Sequence, residues 1–330
     1  MHIVLLISLF LTIPVHAVKT NNKNFSTIYT HGLDSGPTQA AKYIPEHITW
    51  LTGETVTCTD GVNVLFEPIT APAMSEINMR NTDTDKWYSF FKQITCKITA
   101  LIGLKAYGIS VKQCSQPGLT LAGHGLSLSL KNIGQDADLA KLKAAYEEHK
   151  NNYTQERIMY ASSNGAATTC TFICEEHPDI KAAVLEGCFD SVSNTITERY
   201  EWLLGKRGVS CAESLLQKIT SWRKDGISPI SVVNKWPAHV PVLFITSLKD
   251  TIVPAACTKN LVKELKENVP QALVYLLVLK NSRHPCYVFD DAQDKELYEN
   301  VVHAFYKTYG IPYDAAKAER GMPHLEAIKQ

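Results

Sequence analysis

The stretch Arg157-Ile-Met-Tyr-Ala-Ser-Ser-Asn-Gly-Ala-Ala-Thr-Thr169 joins two patterns that predict different secondary structures. Its first part is an apolar run of the kind found in a buried β-strand. Its second part is made of small residues that can open a helix. The junction carries small residues two positions before and two positions after a serine, as Ala161-x-Ser163-x-Gly165. The stretch therefore predicts a strand, a tight turn at a serine, and a helix.

This spacing is a relaxed form of the nucleophile elbow, G-x-S-x-G, in which a sharp strand-to-helix turn exposes a serine. The turn brings the positions two before and two after the serine close together, so both must be small. Ser163 places Ala161 and Gly165 there, whereas Ser162 would place the bulky Tyr160 at the first of them. Ser163 is therefore the predicted nucleophile. The alternative on this stretch alone is a loop rich in serine and glycine before an ordinary helix.

Length and charge restrict the class of protein. The chain of 330 residues can bury a large core, and its hydrophobic share of 45% is ordinary for a globular protein. Lys plus Arg and Asp plus Glu both number 33, so the formal net charge is zero. Since nucleic acids favour basic surfaces, the composition predicts no nucleic-acid partner. No internal repeat or low-complexity segment is visible.

The N-terminus has the pattern of a secretory signal. The run Ile3-Val-Leu-Leu-Ile-Ser-Leu-Phe-Leu-Thr-Ile13 is broken by Pro14, and Val15-His16-Ala17 resembles a cleavage site. The run is too short to span a membrane. We expect residues 1–17 to be removed and the product, 18–330, to be secreted or periplasmic without a stable membrane span. The alternative is an N-terminal strand or buried helix.

The nine cysteines are many for a reduced cytosolic enzyme, and an exported protein could form disulfides. Cys170 and Cys174 lie four residues apart on a predicted helix, where core packing is expected rather than a bridge. Those in polar surroundings are better disulfide candidates, namely Cys58, Cys96, Cys114 and Cys211. The pairing cannot be read from the sequence.

Predicted strands alternate with predicted helices along most of the chain. The strands are 25–30, 62–68, 157–161, 181–187, 240–247 and 272–279. The helices begin at Asp136, at the predicted elbow, at Val253-Pro254 and at Asp294, and the helix from Asp294 to Tyr309 is expected to be the last. Such alternation predicts an α/β fold with a mostly parallel sheet covered on both faces. Residues 71–135 give no clear pattern beyond a helical stripe within 85–107.

Three polar side chains follow three of these strands. Ser163 follows the strand at 157–161, Asp250 follows the strand at 240–247, and His284 follows the strand at 272–279. Functional sites of parallel sheets gather at the carboxyl ends of the strands. The residue types are those of nucleophilic catalysis by serine, and their order, Ser, Asp, His, is the one used by α/β-hydrolases.

The chain resembles an α/β-hydrolase over roughly residues 25–308. His31-Gly32 after the first strand resembles the motif that precedes an oxyanion-hole residue. Asp250-x-x-Val253-Pro254 is similar to the surroundings of the catalytic acid, and His177-Pro178 resembles the link after the elbow helix. The resemblance implies a single hydrolase domain with a mostly parallel central sheet and a small helical cap.

The resemblance also implies a role for each matching residue. Ser163 would be the nucleophile, His284 the base that takes its proton, and Asp250 the acid that orients the imidazole. The oxyanion hole would use the backbone N–H groups of Leu33 and Asn164. No metal and no cofactor are implied.

Departures from the family pattern leave alternatives at two positions. Ala161 stands where glycine is commoner, although it satisfies the same steric demand. No glycine precedes His284; its rivals His239 and His303 lie before the acid strand and inside the last helix. Asp190, after the strand at 181–187, is the alternative acid, because some relatives place the acid there.

These residues predict a serine hydrolase of esterase or lipase type that acts on an ester-type bond (carboxylester, thioester or lipid) or on a peptide bond. The expected partner is a small-molecule, lipid or peptide substrate. The helical region 190–239 is the candidate cap, in which Trp202, Trp222 and Trp236 either line an apolar pocket or pack in the core. The alternatives are a non-catalytic binding protein with this fold and an acyltransferase that uses the same serine.

Overall fold

The structure, a computed structural model, describes residues 25–30, 56–58, 133–152, 156–284 and 287–330. All of them belong to one of the two compact units of the chain, the one made of residues 17–66 and 124–330. The predicted signal segment, the glycine motif at His31-Gly32 and the helical stripe within 85–107 lie outside the described residues. The single-domain boundary at 18–330 stays a prediction.

The described strands form one six-stranded sheet in the order β2-β1-β3-β4-β5-β6. Every described pairing between neighbouring strands is parallel. The strands are Phe25–Thr30 (β1), Val56–Cys58 (β2), Glu156–Ser162 (β3), Ala182–Glu186 (β4), Val242–Ser247 (β5) and Val274–Leu279 (β6). Side chains of β3, β4 and β5 are buried on both faces, as expected of a covered parallel sheet.

The strand order changes direction at one point in the sheet. The chain leaves β1 for β2 on one side and then returns to place β3 on the other side of β1. The register from Phe25↔Glu156 to Thr30↔Ala161 brings the carboxyl ends of β1 and β3 to the same level. A change of strand order of this kind marks the place where ligands bind in open α/β sheets, outside the carboxyl ends of the strands. Ser163 lies one residue beyond the end of β3.

Helices cover both faces of the sheet. They are Asp136–Asn152 (α1), Asn164–Glu176 (α2), Val192–Ile219 (α3), Pro229–Val232 (α4), Ala255–Asn268 (α5), Tyr287–Asp290 (α6), Ala292–Thr308 (α7) and Ala315–Ala327 (α8). Residues of α1, α2, α4 and α5 pack with one face of the strands in one core cluster. Residues of α6, α7 and α8 pack with the opposite face in a second cluster. The predicted fold class, a parallel sheet with helices on both faces, is confirmed.

The C-terminal end of the chain differs from the expectation. The helix predicted as the last one is followed by α8, Ala315–Ala327, which packs against α7. Gly321 allows this contact, since a Cβ atom at that position would lie 1.9 Å from the backbone oxygen of Asn300. Gly321 and Pro323 are both poor helix formers, which is why no helix was predicted here.

The region 190–239 is helical, as predicted. Its long helix α3 is interrupted at Gly205, whose φ of 63° and ψ of 171° are not helical. The short helix α4 and a 3-10 turn at 233–235 complete the region. Whether this region acts as a cap stays a prediction.

Five cysteines in the described part of the chain carry free thiols. Cys170 and Cys174 are buried on α2, as the sequence predicted. Cys211, one of the disulfide candidates, is an exposed free thiol.

Among the described helices, none has both the length and the apolar character needed to cross a membrane.

Candidate active site

Ser163 occupies the turn between β3 and α2 in a strained conformation. Its φ of 55° and ψ of −125° lie outside the regions that non-glycine residues favour. Such a conformation costs roughly 1–3 kcal/mol and persists only where the surrounding structure imposes it. Here the backbone N–H of Ser163 donates to the carbonyl oxygen of Glu186 in β4 (2.7 Å). The backbone carbonyl oxygen of Ser163 accepts from the N–H of Ala167 (3.1 Å). Hydrogen bonds to the neighbouring strand β4 and to the first turn of α2 therefore hold this conformation.

The two serines at this turn occupy different positions. Ser162 is the last residue of β3 and is buried, whereas Ser163 leaves the strand. Ala161 is fully buried between Thr30 of β1 and Leu185 of β4, its register partners. A larger side chain at position 161 would have to displace packed neighbours.

The imidazole of His284 contacts the serine. His284 Nε2 lies 2.8 Å from Ser163 Oγ, and both residues are buried. His284 is in the loop after β6, which the Asp294 carboxylate of α7 holds by accepting hydrogen bonds from the backbone N–H groups of Asn281 and Ser282 and from the Ser282 hydroxyl (2.7 Å each). Although burial opposes ionisation, the bonds from Ser282 and the loop backbone lower the pKa of Asp294.

The carboxylate of Asp250 completes the arrangement. Its Oδ2 lies 2.7 Å from His284 Nδ1. Its Oδ1 accepts from the backbone N–H groups of Ile252 and Val253, at 2.8 Å each. These two bonds fold the loop after β5 back on the aspartate, which is the physical reason for the Asp-x-x-Val-Pro spacing. Asp250 is thus fixed through one oxygen and contacts the histidine through the other.

A second hydrogen bond reaches the same carboxylate oxygen. The hydroxyl of Tyr287, on α6, donates to Asp250 Oδ2, and the Tyr287 side chain is fully buried. Burial, the Asp250 charge and this hydrogen bond raise the pKa of Tyr287 far above its usual value, so the hydroxyl keeps its proton. Sequence reasoning missed this residue. Its position three residues after His284 was the only available signal.

Gly187 is the second residue that sequence reasoning did not single out. It follows β4 with a φ of 58°, and a Cβ there would lie 3.2 Å from His284 Cε1 and 3.2 Å from the Tyr287 hydroxyl. A side chain at this position would press on both the imidazole and the tyrosine.

The alternative residues Asp190 and His303 form hydrogen bonds with groups other than Ser163, His284 and Asp250. Asp190 accepts hydrogen bonds from the Ser191 N–H and from the side-chain amides of Asn194 and Asn260, and burial raises its pKa. His303 is buried in α7, where its Nδ1 accepts from the Asp314 N–H. His239 precedes β5 and so lies at the amino ends of the parallel strands, whereas Ser163 follows the carboxyl end of β3.

One of the two predicted oxyanion donors is described. Asn164 is the first residue of α2, so its backbone N–H has no partner within the helix and lies at the positive end of the helix dipole. Gly165, the small residue that the elbow requires, follows it and is buried. Leu33, together with His31 and Gly32, lies outside the described residues.

The described part of the chain also has a pocket of about 280 Å³, whose lining does not include Ser163, His284 or Asp250. It is enclosed by residues 133–135, by the start of α3 and by the loop that leads into α4. Trp222 is buried and is one of the lining residues. Trp236 instead packs in the core and donates to the Val240 oxygen, while Trp202 is 82% exposed.

Within the described ranges, no three His, Cys, Asp or Glu side chains are grouped as they would be around a metal ion.

Comparison with known proteins finds similarity in structure but not in sequence. No protein-family model matches the chain, and no curated protein matches its sequence. An esterase of Pyrococcus furiosus is similar over 88% of this chain and 84% of its own, at 16% identity and a TM-score of 0.49. The acylaminoacyl peptidase of Pyrococcus horikoshii is similar over 92% of this chain at 13% identity and a TM-score of 0.50. An acylaminoacyl peptidase in complex with Z-Gly-Gly-Phe-chloromethyl ketone gives the same values.

This chain spans 40% of the peptidase's length, so the likeness concerns one part of that protein. At such low identity it bears on the fold alone. The strand order, the strained turn at the carboxyl end of β3 and the structural likeness to the peptidase agree. The chain therefore has the α/β-hydrolase fold.

Proposed function

We propose that this protein is a serine hydrolase that forms an acyl-enzyme on Ser163, with His284 as the base and Asp250 as the acid. The observation that carries the proposal is the continuous hydrogen-bonded chain from Ser163 Oγ through His284 to Asp250, with links of 2.8 and 2.7 Å. A serine hydroxyl is a weak nucleophile until a base takes its proton, and this geometry supplies the base. All three residues lie within the described part of the α/β-hydrolase fold.

The acylation step follows from these positions. His284 Nε2 takes the proton of Ser163 Oγ as the oxygen attacks the carbonyl carbon of the substrate. The negative charge that develops on the carbonyl oxygen is stabilised by the backbone N–H of Asn164 at the start of α2. His284 then gives its proton to the leaving group as the carbonyl re-forms, and Ser163 keeps the acyl group. Asp250 stabilises the imidazolium while it carries the proton.

Deacylation repeats these reaction steps with water as the nucleophile. His284 takes a proton from a water molecule, whose oxygen attacks the acyl carbon. The carboxylic acid leaves, and Ser163 recovers its proton from His284. The buried Tyr287 hydroxyl stays protonated throughout, so it donates to Asp250 in both half-reactions.

The proposed substrates contain either an ester-type bond, in a carboxylester, a thioester or a lipid, or a peptide bond. The solved structures with a similar fold include an esterase and an acylaminoacyl peptidase, and both bond types suit an acyl-enzyme on serine.

A panel of p-nitrophenyl esters, thioesters and peptide p-nitroanilides tests the proposal. The wild-type protein should hydrolyse at least one class, and Ser163→Ala should lower kcat by a thousandfold or more. Circular dichroism and thermal unfolding of the variant serve as the folding control. Retention of full activity by a folded Ser163→Ala protein would refute the assignment of the nucleophile.

Two other outcomes separate the alternative functions. Formation of an ester product with added alcohols, at the expense of free acid, would indicate an acyltransferase. Absence of turnover and of covalent labelling in a folded wild-type protein would indicate a binding protein with a hydrolase fold.

Secretion is part of the proposal and rests on the residue pattern of the first 17 positions. N-terminal sequencing of protein from its native source checks it. The expected first residue is close to Val18, and a mature chain that keeps 1–17 would contradict the signal peptide.

A further inference from the structure

We propose that Asp138 is a positioning residue for the oxyanion donor, because its carboxylate holds the residue that follows the nucleophile. The inference rests on the proposed function, in which the backbone N–H of Asn164 stabilises the charge on the carbonyl oxygen. It depends on a strained turn before α1, on the two hydrogen bonds that Asp138 accepts, and on the contacts that orient Asn164.

The turn before α1 is strained and lies against the start of α2. Ile133 has a φ of 36° and Gly134 has a φ of 74°. A positive φ is a rare conformation for a β-branched residue such as isoleucine. A Cβ at Gly134 would lie 3.2 Å from Oδ1 of Asn164 and 3.6 Å from Oγ1 of Thr168. Strained residues cluster at functional sites, and two such turns, this one and the one at Ser163, adjoin Asn164.

The carboxylate of Asp138 joins these two turns. Its Oδ2 accepts one hydrogen bond from the backbone N–H of Gly134 at 2.7 Å and another from Nδ2 of Asn164 at 3.3 Å. The first bond closes the strained turn onto α1, and the second reaches from α1 to the first residue of α2. Hydrogen bonds to an ionised carboxylate are stronger than those to a neutral acceptor. A single oxygen atom thus holds Asn164 in a fixed relation to α1.

The two helices are also packed together away from this contact. Tyr146 of α1 packs against Phe172 of α2 with ring centroids 5.3 Å apart. Lys143 of α1 pairs with Glu176 of α2 at 2.6 Å. The packing of the helices therefore has support other than the carboxylate, and loss of the carboxylate should act locally on Asn164.

The side chain of Asn164 is the part of this residue that Asp138 controls. Its Nδ2 donates to Asp138, and its Oδ1 is buried with no hydrogen-bond partner in the described part of the chain. The backbone carbonyl of Asn164 accepts from Oγ1 of Thr168 at 2.9 Å. An oxyanion donor must lie about 2.7–3.1 Å from the oxygen that becomes charged, so a small rotation of the peptide between Ser163 and Asn164 weakens it. We therefore expect Asp138 to affect the transition state rather than the bound substrate.

Three variants of α1 test the inference in steady-state kinetics with the panel substrate that the wild type hydrolyses fastest. Asp138→Ala should lower kcat by about tenfold to a hundredfold with little change in KM, since loss of a whole oxyanion donor costs about 10²–10³. Asp138→Asn keeps an acceptor oxygen and should restore most of the activity. The matched control is Asp136→Ala, which removes an exposed acid from the same helical turn, paired with Arg223 at 2.7 Å, and should leave kcat unchanged.

A double-mutant cycle with Asn164→Ala separates this role from a merely structural one. Asn164→Ala keeps the backbone N–H and removes the side chain that Asp138 holds, so it should lower kcat to a similar extent. The double variant should lose no more than the larger of the two single losses. Additive losses, or wild-type kcat in Asp138→Ala, would overturn the positioning role while leaving the hydrolase intact. If Asp138→Ala does not fold, wild-type kcat in Asn164→Ala would overturn the role by itself.

Inhibition by a trifluoromethyl ketone measures the oxyanion contact. Ser163 Oγ adds to the carbonyl carbon, His284 takes the serine proton, and the carbonyl oxygen becomes an alkoxide while no group leaves. Asp138→Ala should raise the inhibition constant of the ketone by the factor by which kcat/KM falls. The corresponding secondary alcohol, which cannot add the serine, should bind equally well to both proteins. Equal changes for the two inhibitors would overturn the role.

Covalent labelling extends the test to a protein that turns over no substrate, because the phosphoryl oxygen of a fluorophosphonate also gains negative charge. Asp138→Ala should be labelled at Ser163 more slowly than the wild type, and Asp138→Asn at close to the wild-type rate. Equal rates in all three proteins would overturn the positioning role alone. Absence of labelling and of ketone inhibition in a folded wild-type protein would overturn the proposed function and this inference together.

Discussion

At the scale of single residues, Ser163, Asp250 and His284 meet because each one follows a strand of the same parallel sheet. Their types and order are visible in the sequence, and the carboxyl ends of parallel strands share one edge of the sheet. The sequence could not identify Tyr287 or Gly187 as neighbours of the triad. Both contacts depend on how the loops after β4 and β6 fold against each other, which no local pattern encodes.

The choice between two aspartates gives the first prediction. Asp250→Asn should lower kcat by about 10⁴, since the amide favours the wrong imidazole tautomer. Asp190→Asn should keep kcat within tenfold, because Asp190 contacts Ser191, Asn194 and Asn260 rather than the histidine. Steady-state kinetics of both variants decide the matter. Loss of activity in Asp190→Asn alone would reverse the assignment of the acid.

The second prediction concerns Tyr287 as a positioning residue. Tyr287→Phe removes a donor to the Asp250 carboxylate, and hydrogen bonds to charged groups contribute about 1.5–3 kcal/mol. We expect kcat to fall by about tenfold with little change in KM. The control is Tyr298→Phe, because the Tyr298 hydroxyl donates to Glu186 (3.0 Å) and not to Asp250.

Equal kinetic losses in the two tyrosine variants, in parallel with equal losses of thermal stability, would assign Tyr287 a structural role only. The variants are well matched, since both tyrosines are buried on the same face of the sheet.

At the scale of elements, the sequence located most strands and helices to within a few residues. β1 was predicted at its observed bounds, and β5 and β6 were predicted two residues too long at their starts. Buried strands give continuous apolar runs, so they are easy to find. The helix α8 could not be predicted, because it forms through contact with α7 and contains a glycine and a proline. The predicted strand at 62–68 lies outside the described residues.

Gly321 in α8 provides a test, because helix propensity predicts that Gly321→Ala raises the free energy of unfolding and packing predicts that it lowers it. In an exposed helix, Gly→Ala stabilises by about 1 kcal/mol. Here a Cβ would lie 1.9 Å from the Asn300 oxygen, so Gly321→Ala should destabilise by roughly 1–3 kcal/mol. Urea unfolding measures the difference. Glu319→Ala, at an exposed position of α8, should remain within about 0.5 kcal/mol of the wild type.

The buried His303 of α7 predicts a dependence of stability on pH. Burial, and then the nearby Lys317 charge, lower the pKa of His303 to about 3, whereas an unfolded histidine has a pKa near 6.5. The unfolded chain therefore binds a proton that the folded chain does not, between these two values. The contribution of His303 to stability is complete above pH 6.5 and is lost as the pH falls toward 3.

Thermal unfolding measured between pH 7 and pH 4 tests whether stability falls with pH as expected. His303→Gln should flatten the pH dependence, and His239→Gln, at an exposed position before β5, should leave it unchanged. An equally steep curve in His303→Gln would mean that another group dominates the acid response.

At the scale of the whole molecule, the strand order accounts for the location of the site. The sheet reverses its direction of winding between β1 and β3, and Ser163 lies at that crevice with α2 directed away from it. Alternating strands and helices were sufficient to predict the fold class. They were insufficient to predict the pocket. It is lined in part by residues 133–135 and 222–230, two segments distant in the sequence that hydrogen bonds between Gln135 and Arg223 hold together.

Covalent labelling by a fluorophosphonate probe shows whether His284 and Asp250 activate Ser163. Wild-type, Ser163→Ala and Asp250→Asn proteins would be labelled side by side, digested and mapped by mass spectrometry. We expect one probe on Ser163 in the wild type, none in Ser163→Ala, and strongly slowed labelling in Asp250→Asn. Labelling of a folded Ser163→Ala protein at the wild-type rate, or mapping of the probe to Ser162, would contradict this expectation.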